Sequence, residues 1–306
     1  MRPEDLSVNE VHGCQNRRII MFERILIPID NSSESWVAAH HAIALAQEEG
    51  SQLIGLYIAD EKVISSPCWA SADAMDPLSP GCDPMMLQQS ENIRKQFKEL
   101  GEKALRDLRQ QAATAGVTIE TYFETGIVPE IILEYAQNAD LVVMGRRGVG
   151  GKWRGPLFGS TFEAVVRHAP CPVLATVSDP RPLNTLLVAY DGSDRARDAL
   201  EIAMHLALEK DRRLIILTVD DGKHDRTAAS FEAAALAREK GLSAKRRLVK
   251  GHVAEQILIA ADEENVDLIL IGAYGHSRFL AAILGSTVND VVHQAATPVM
   301  ICRKQP

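Results

Sequence analysis

The chain has no excess of positive charge. Its 306 residues carry 33 lysines and arginines against 41 aspartates and glutamates, a net charge of −8 at pH 7. That balance argues against nucleic acid as a partner and against a polybasic attachment to membranes. No apolar run is long enough to span a bilayer. Five scattered cysteines, an odd number, make no disulfide framework and point to a reducing, cytoplasmic setting. Residues 1–20 hold charged and amide side chains but no apolar h-region, so they do not read as a signal peptide. They read as a disordered extension, or as an over-called start ahead of Met21. No serine nucleophile elbow or protein-kinase signature occurs. Cys68 and Cys82 share one segment without a close Cys or His companion at metal spacing, which favours free thiols over a zinc or redox pair. His40 and His41 are adjacent, about 100° apart on a helix, and cannot chelate together. Cys171 and Cys302 read as packing residues near the last strand of each half of the chain.

What the chain does have is a repeat. Its length suits two ordinary domains, and 46% hydrophobic with 24% charged residues suits a soluble globular protein. Ile25–Asp60 lies over Leu186–Asp221 at an offset of 161 with no gap, so that Asp30 meets Asp191 and Ser32 meets Ser193. Further on, Gly126 and Glu130 match Gly251 and Glu255, LVVMGRRG (141–148) matches LILIGAYG (268–275), and 158–175 matches 284–301. The divisions expected are an extension 1–20, a first domain 21–178, a linker 179–184 with two prolines nearby, and a second domain 185–306.

Each copy alternates strand and helix. In the first, strands are expected at Ile25–Ile29, Leu53–Ile58, Thr118–Phe123, Leu141–Met144 and Val173–Val177. Helices are expected at Val37–Gln47, Gly126–Gln137 and Ser160–His168. Ile93, Phe97, Leu100, Ala104, Leu105 and Leu108 recur at helical spacing and read as a core-facing stripe. Residues 60–90, with Pro67, Pro77, Pro80, Gly81 and Pro84, read as a long loop, either a lid or, more simply, a surface insertion. The second copy repeats the pattern with strands at Leu186–Tyr190, Leu214–Val219, Ala244–Val249, Leu268–Ile271 and Val299–Cys302. Such alternation implies a parallel sheet with helices on both faces, and ligands at the carboxyl ends of strands where strand order reverses. Asp30 and Asp191 end the first strands, and glycine-rich loops follow the fourth. If strands one and four are neighbours, both features line one crevice.

The glycine-rich stretch is clearest at Gly272–Thr287, between a strand and a helix start. Gly272 and Gly275 let backbone N–H groups approach a ligand with no Cβ in the way. Gly285, Ser286 and Thr287 stand at a helix N-terminus, whose unpaired N–H groups and partial positive charge suit phosphate oxygens. Ser286 and Thr287 can equally cap the helix, in which case the stretch is a tight strand-to-helix turn and nothing more.

These residues resemble the universal stress protein family, as a tandem two-domain member, over about residues 22–304. The family pattern G-x2-G-x9-G-[ST] is met by Gly272, Gly275, the nine residues 276–284, then Gly285 and Ser286; LLVAYDGS (186–193) resembles the family's first strand and its aspartate. The resemblance implies in each domain a five-stranded parallel sheet, order 3-2-1-4-5, of the adenine-nucleotide alpha hydrolase-like kind, with the two domains paired through their last strands as an intramolecular version of the family dimer. It implies ATP as ligand, with magnesium bridging its phosphates, and leaves room for a further homodimer. Carried onto this chain, Asp191 would contact the adenosine and the backbone of Val219 the adenine. Gly272, Gly275, Gly285, Ser286 and Thr287 would wrap the phosphates; His276 and Arg278 are further phosphate contacts or a solvated loop face.

The first copy departs from the pattern: Gly145 and Gly148 are followed by ten residues, 149–158, before Gly159, Ser160 and Thr161. Its matching candidates are Asp30, Ile58, Gly145, Gly148, Gly159, Ser160 and Thr161, with Arg146, Arg147, Lys152 and Arg154 favouring anions. Asn31 stands where the second copy has glycine, a small change because asparagine tolerates turn geometry. Three functions stay open. The first is an ATP-binding regulator whose occupancy sets its choice of protein partner in a stress response. The second is a nucleotide-free scaffold or chaperone-like interaction protein, which fits the altered first loop and the proline-rich insertion. The third is a slow ATPase or phosphotransferase, which lacks an evident general base.

Overall fold

The computed structural model describes residues 21–69, 84–148, 158–178, 180–222, 225–272 and 285–303, without the side chains of 66–69 and 84–87. The first half runs β1 (Arg24–Pro28), α1 (Ser33–Glu49), β2 (Gln52–Asp60), α2 (Glu61–Trp69), α3 (Pro84–Thr114), β3 (Ile119–Gly126), α4 (Val128–Ala136), β4 (Leu141–Gly145), α5 (Ser160–His168) and β5 (Val173–Thr176). The second runs β6 (Thr185–Ala189), α6 (Asp194–Lys210), β7 (Arg213–Asp220), α7 (Thr227–Glu239), β8 (Ala244–Lys250), α8 (Val253–Glu263), β9 (Leu268–Gly272), α9 (Ser286–Gln294) and β10 (Val299–Cys302). No helix among the described residues is long and apolar enough to cross a membrane.

The ten strands form one sheet in the order β3-β2-β1-β4-β5-β10-β9-β6-β7-β8. Within each half the order is 3-2-1-4-5 and every pairing is parallel. The halves meet through their last strands, antiparallel, with Met300 opposite Leu174. Apolar runs on strands buried on both faces produce this, because successive side chains go to opposite sides. Ile25 and Ile27 of β1 join the layer under α1, α3, α6 and α7, while Leu26 joins the layer under α4, α5, α8 and α9.

The two halves are also tied by side chains. The Arg146 guanidinium donates to the carbonyls of Val292, His293 (3.4 Å) and Ala295 (3.2 Å) at the end of α9. In the other direction Arg303 donates to Ala169 (2.7 Å) and Arg167 (3.0 Å) at the end of α5. Each cation thus meets the partial negative charge of the other half's helix C-terminus. Glu48 pairs with Arg212, and His41 Nε2 lies 2.7 Å from the Ser178 carbonyl beside the segment that joins the halves.

One segment differs from its sequence reading. Residues 60–90 are not a continuous loop: α2 begins directly after β2, and α3 begins at Pro84. One proline is placed where a helix tolerates it: Pro84 opens α3, where its missing N–H would have had no partner. Pro67 falls in the last turn of α2, where it leaves the carbonyl four residues earlier without its helical N–H donor. Residues 70–83, with Pro77, Pro80 and Cys82, lie outside the described residues, as does the side chain of Cys68. The apolar stripe of α3 holds at Ala104, Leu105 and Leu108, which are buried, but Leu100 is 51% exposed. Cys171 and Cys302 are buried packing residues.

Candidate functional site

Strand order reverses between β1 and β4 in the first half and between β6 and β9 in the second, which opens a crevice at each pair of carboxyl ends. Both first strands leave the sheet in the same way. Asp30 Oδ1 accepts from Ser32 N at 2.9 Å, and Asp191 Oδ1 accepts from Ser193 N at 2.9 Å. Ser32 and Ser193 then cap α1 and α6, accepting from Ser35 N (3.1 Å) and Ala196 N (3.2 Å). Between aspartate and cap the chain must turn through a left-handed residue: Gly192 at φ 85° and Asn31 at φ 65°. Asparagine is among the few side chains that accept that conformation, so the first half keeps the turn without glycine.

The glycines on the fourth strands face these turns. A Cβ on Gly148 would lie 2.5 Å from Asp30 Oδ2, so the structure brings together the aspartate and the glycine turn that the sequence placed in one crevice. A Cβ on Gly145 would lie 2.7 Å from Glu34 Cβ, and one on Gly272 would lie 2.6 Å from the carbonyl carbon and oxygen of Arg195. Gly159 N donates to the Arg146 carbonyl at 3.1 Å, which seats the start of α5 against the turn after β4.

Helices α5 and α9 start at Gly159 and Gly285, and neither has a side-chain cap bond. Ser160 and Ser286 are exposed on the first position of each helix, followed by half-buried Thr161 and Thr287. Because α9 connects the parallel strands β9 and β10, its N-terminus lies at the carboxyl edge of the sheet. Ile58 and Val219 lie near the ends of β2 and β7, and Val219 is buried. Gly275, His276 and Arg278, together with Lys152 and Arg154, lie outside the described residues.

Arg146 is a correction. Beside a glycine turn it reads as an anion contact, but its guanidinium is spent on the carbonyls ending α9, where burial pulls its pKa below the ordinary arginine value. Three other residues near the crevices carry charge that sequence reasoning missed. Glu34 Oε2 accepts from Arg147 N at 2.7 Å. Arg195, in the first turn of α6, is partly exposed and bonded to Asp198 at 3.3 Å. Arg226, just ahead of α7, donates to the Asp191 carbonyl at 2.7 Å. The offset of 161 is the signal that could have found the first two, since it sets Glu34 opposite Arg195. Arg226 follows β7, where the middles of the two halves no longer align.

An open groove of about 820 Å³ lies between α1 and α3, with a mixed lining that includes Trp36, His40, Leu100, Lys103 and Asp107. Among the described residues no group of three His, Cys, Asp or Glu side chains is placed to hold a metal ion.

Comparison with known proteins agrees with this architecture. The family model described as "Universal stress protein family" matches residues 21–176 and 222–303. A universal stress protein of Synechocystis sp. is 26% identical over 288 residues, covering 92% of this chain and all of that protein. One of Methanocaldococcus jannaschii is 33% identical over 157 residues, covering 50% of this chain and 81% of its own length. The crystal structure of a universal stress protein from Archaeoglobus fulgidus matches with a TM-score of 0.73 at 23% identity, covering 93% of this chain and 97% of that one, which supports the fold. With the matched segments covering more than half of the chain, including all of the first half's strands and the last three of the second's, the chain belongs to the universal stress protein family.

Proposed function

We propose that this chain is a nucleotide-dependent regulator that binds ATP in the crevice of its second half. The observation that carries the reading is the start of α9: Gly285 opens it without a side-chain cap, at the carboxyl edge, and Gly272 and Gly275 precede it in sequence at the family spacing. Such an end presents N–H donors and partial positive charge to phosphate. Two cations stand near the crevice: Arg226, which donates to the Asp191 carbonyl, and Arg195, whose backbone lies against Gly272 and whose guanidinium meets Asp198. Gly272 fits a close cradle, since a side chain there would strike the backbone of α6.

In this reading Gly272, Gly275, Gly285, Ser286 and Thr287 hold the phosphates, with His276 and Arg278 as further contacts. Asp191 meets the adenosine and the backbone of Val219 the adenine. ATP supplies a polyanionic tail and its magnesium rides on the phosphates. Bound nucleotide alters the surface around the start of α9, and that surface selects a protein partner in the cytoplasm. The antiparallel contact of β5 with β10 makes the chain its own pair. Asp191 takes the Ser193 amide and so helps to form the entry turn of α6.

Native mass spectrometry and equilibrium dialysis with ATP test this. Wild type is expected to retain ATP and Gly275→Val to lose it; a wild type that binds none ends the proposal. The scaffold reading draws on the first half, whose glycine turn is already held by Glu34, and ATP co-purifying with the protein counts against it.

A further inference from the structure

The two crevices share a frame and differ in the charge at one position. In the first, the β4 end presses on the first turn of α1, with the Cβ site of Gly145 3.0 Å from the Glu34 backbone carbonyl. From there the Glu34 side chain reaches over the turn, and its carboxylate takes the Arg147 amide at 2.7 Å. A second carboxylate, Asp30, lies under the same turn, 2.5 Å from the Cβ site of Gly148. One amide of this turn therefore already has an anion as partner, and a second carboxylate lies beside it. In the second crevice the β9 end presses equally on the first turn of α6, but the residue whose backbone it meets is Arg195, a partly exposed cation whose guanidinium lies 3.3 Å from Asp198.

We infer that Glu34 is an internal anion that keeps polyphosphate out of the first crevice, and that Arg195 at the matching position admits it to the second. The chain then holds one nucleotide, although its fold repeats the site. This rests on the reading of the second crevice as a nucleotide site. An acid in the first turn of α1 also suits the helix dipole, but that alone does not direct its carboxylate to an amide 113 residues away.

The test compares wild type, Glu34→Gln, Glu34→Arg and Arg195→Glu by equilibrium dialysis with ATP and with inorganic tripolyphosphate, each protein first shown to have native circular dichroism. Glu34→Gln keeps the size and removes the charge, so it carries the test if Glu34→Arg does not fold. Wild type is expected to saturate at one ATP per chain and the Glu34 variants at two, the new one cross-linking from azido-ATP to peptides of the first half. Arg195→Glu is expected to weaken the wild-type site about tenfold or more, because a charge is reversed beside a polyanion. A wild type that saturates at two, or folded Glu34 variants that stay at one, overturns the inference and leaves the second-half site standing. If wild type binds neither probe while a Glu34 variant binds tripolyphosphate, the nucleotide reading falls and the role of Glu34 stands. If none of the proteins binds either probe, both fall.

Discussion

Arg146 is expected to stabilise the contact between the halves, and removing it tests that directly. Its guanidinium is half-buried and donates to three carbonyls that end α9: Val292, His293 and Ala295. A hydrogen bond to a charged group contributes about 1.5–3 kcal/mol, and a helix end stranded without partners costs a similar amount. Water can reach part of this site once the side chain is gone, so the three contacts together should come to about 2 kcal/mol rather than their sum. With an m value of about 3 kcal/mol/M for a chain of this size, Arg146→Ala should lower the urea midpoint by roughly 0.7 M. Arg146→Lys should recover less than half of the loss, because all three contacts are made by Nη1 and the lysine side chain ends one bond short of that atom. Arg303→Ala, which frees the carbonyls of Arg167 and Ala169, should act in the same direction. Urea titration followed by far-ultraviolet circular dichroism, with ATP dialysis on the same samples, decides the matter. An unchanged midpoint with lost nucleotide binding would show that Arg146 serves an anion, and the interface argument would be wrong.

Other consequences are as direct. Gly272→Ala should lower the melting temperature through a cost of about 1–3 kcal/mol, since its Cβ would meet only backbone atoms of Arg195 and Ala196 within 3 Å; an unchanged melt would refute the close contact. Glu264 is held at about 2, first by its bond to Lys245 (2.6 Å) and also by Arg213. Its folded pKa is below the unfolded value, so its contribution is full above about pH 4.5 and lost as pH falls towards 2. Amide exchange at β8 should therefore accelerate across that window in wild type and much less in Glu264→Gln; equal profiles would remove Glu264 from the account. Burial pushes the Cys171 thiol up to about 12 and raises that of Cys302 as well. Iodoacetamide at about pH 8 should leave both unlabelled until denaturant is added, and labelling of the native protein would contradict their burial.

Much of the frame was legible because its causes are local. Apolar runs such as Ile25–Ile29 and Leu268–Ile271 specify strands buried on both faces. The alternation with helices specifies parallel pairing, and the aspartate that ends the first strand shares a crevice with the glycine turn once strands one and four are neighbours. Asn31 reads as a glycine substitute because αL tolerance is a property of the residue itself. The misreadings have causes at long range or in position. Proline reads as a breaker over residues 60–90, yet the same residue is harmless at the first position of α3. Leu100 lies on a regular stripe, but it borders the open groove between α1 and α3 and is left exposed there while Phe97 still packs on the core.

Charge was the harder matter, because its meaning is set by a partner that spacing cannot supply. Arg146 beside a glycine turn looks like an anion contact until α9, 146 residues later, brings its carbonyls to it. Glu34 looks like an ordinary first-turn acid until the β4 turn brings the Arg147 amide to it. The repeat offers a partial remedy. A substitution between aligned copies that leaves the backbone turn intact changes the site and not the fold, so Glu34 set against Arg195 marks a difference in function that the two copies carry in their residues alone. Between the copies the geometry of Asp30 and Asp191 is the same to within the precision of a hydrogen bond, 2.9 Å in each, while the residue type at the aligned first-turn position changes from acid to base. A duplicated fold that retains its turn and inverts its charge has specialised one site, which is why nucleotide stoichiometry, rather than affinity alone, is the quantity to measure.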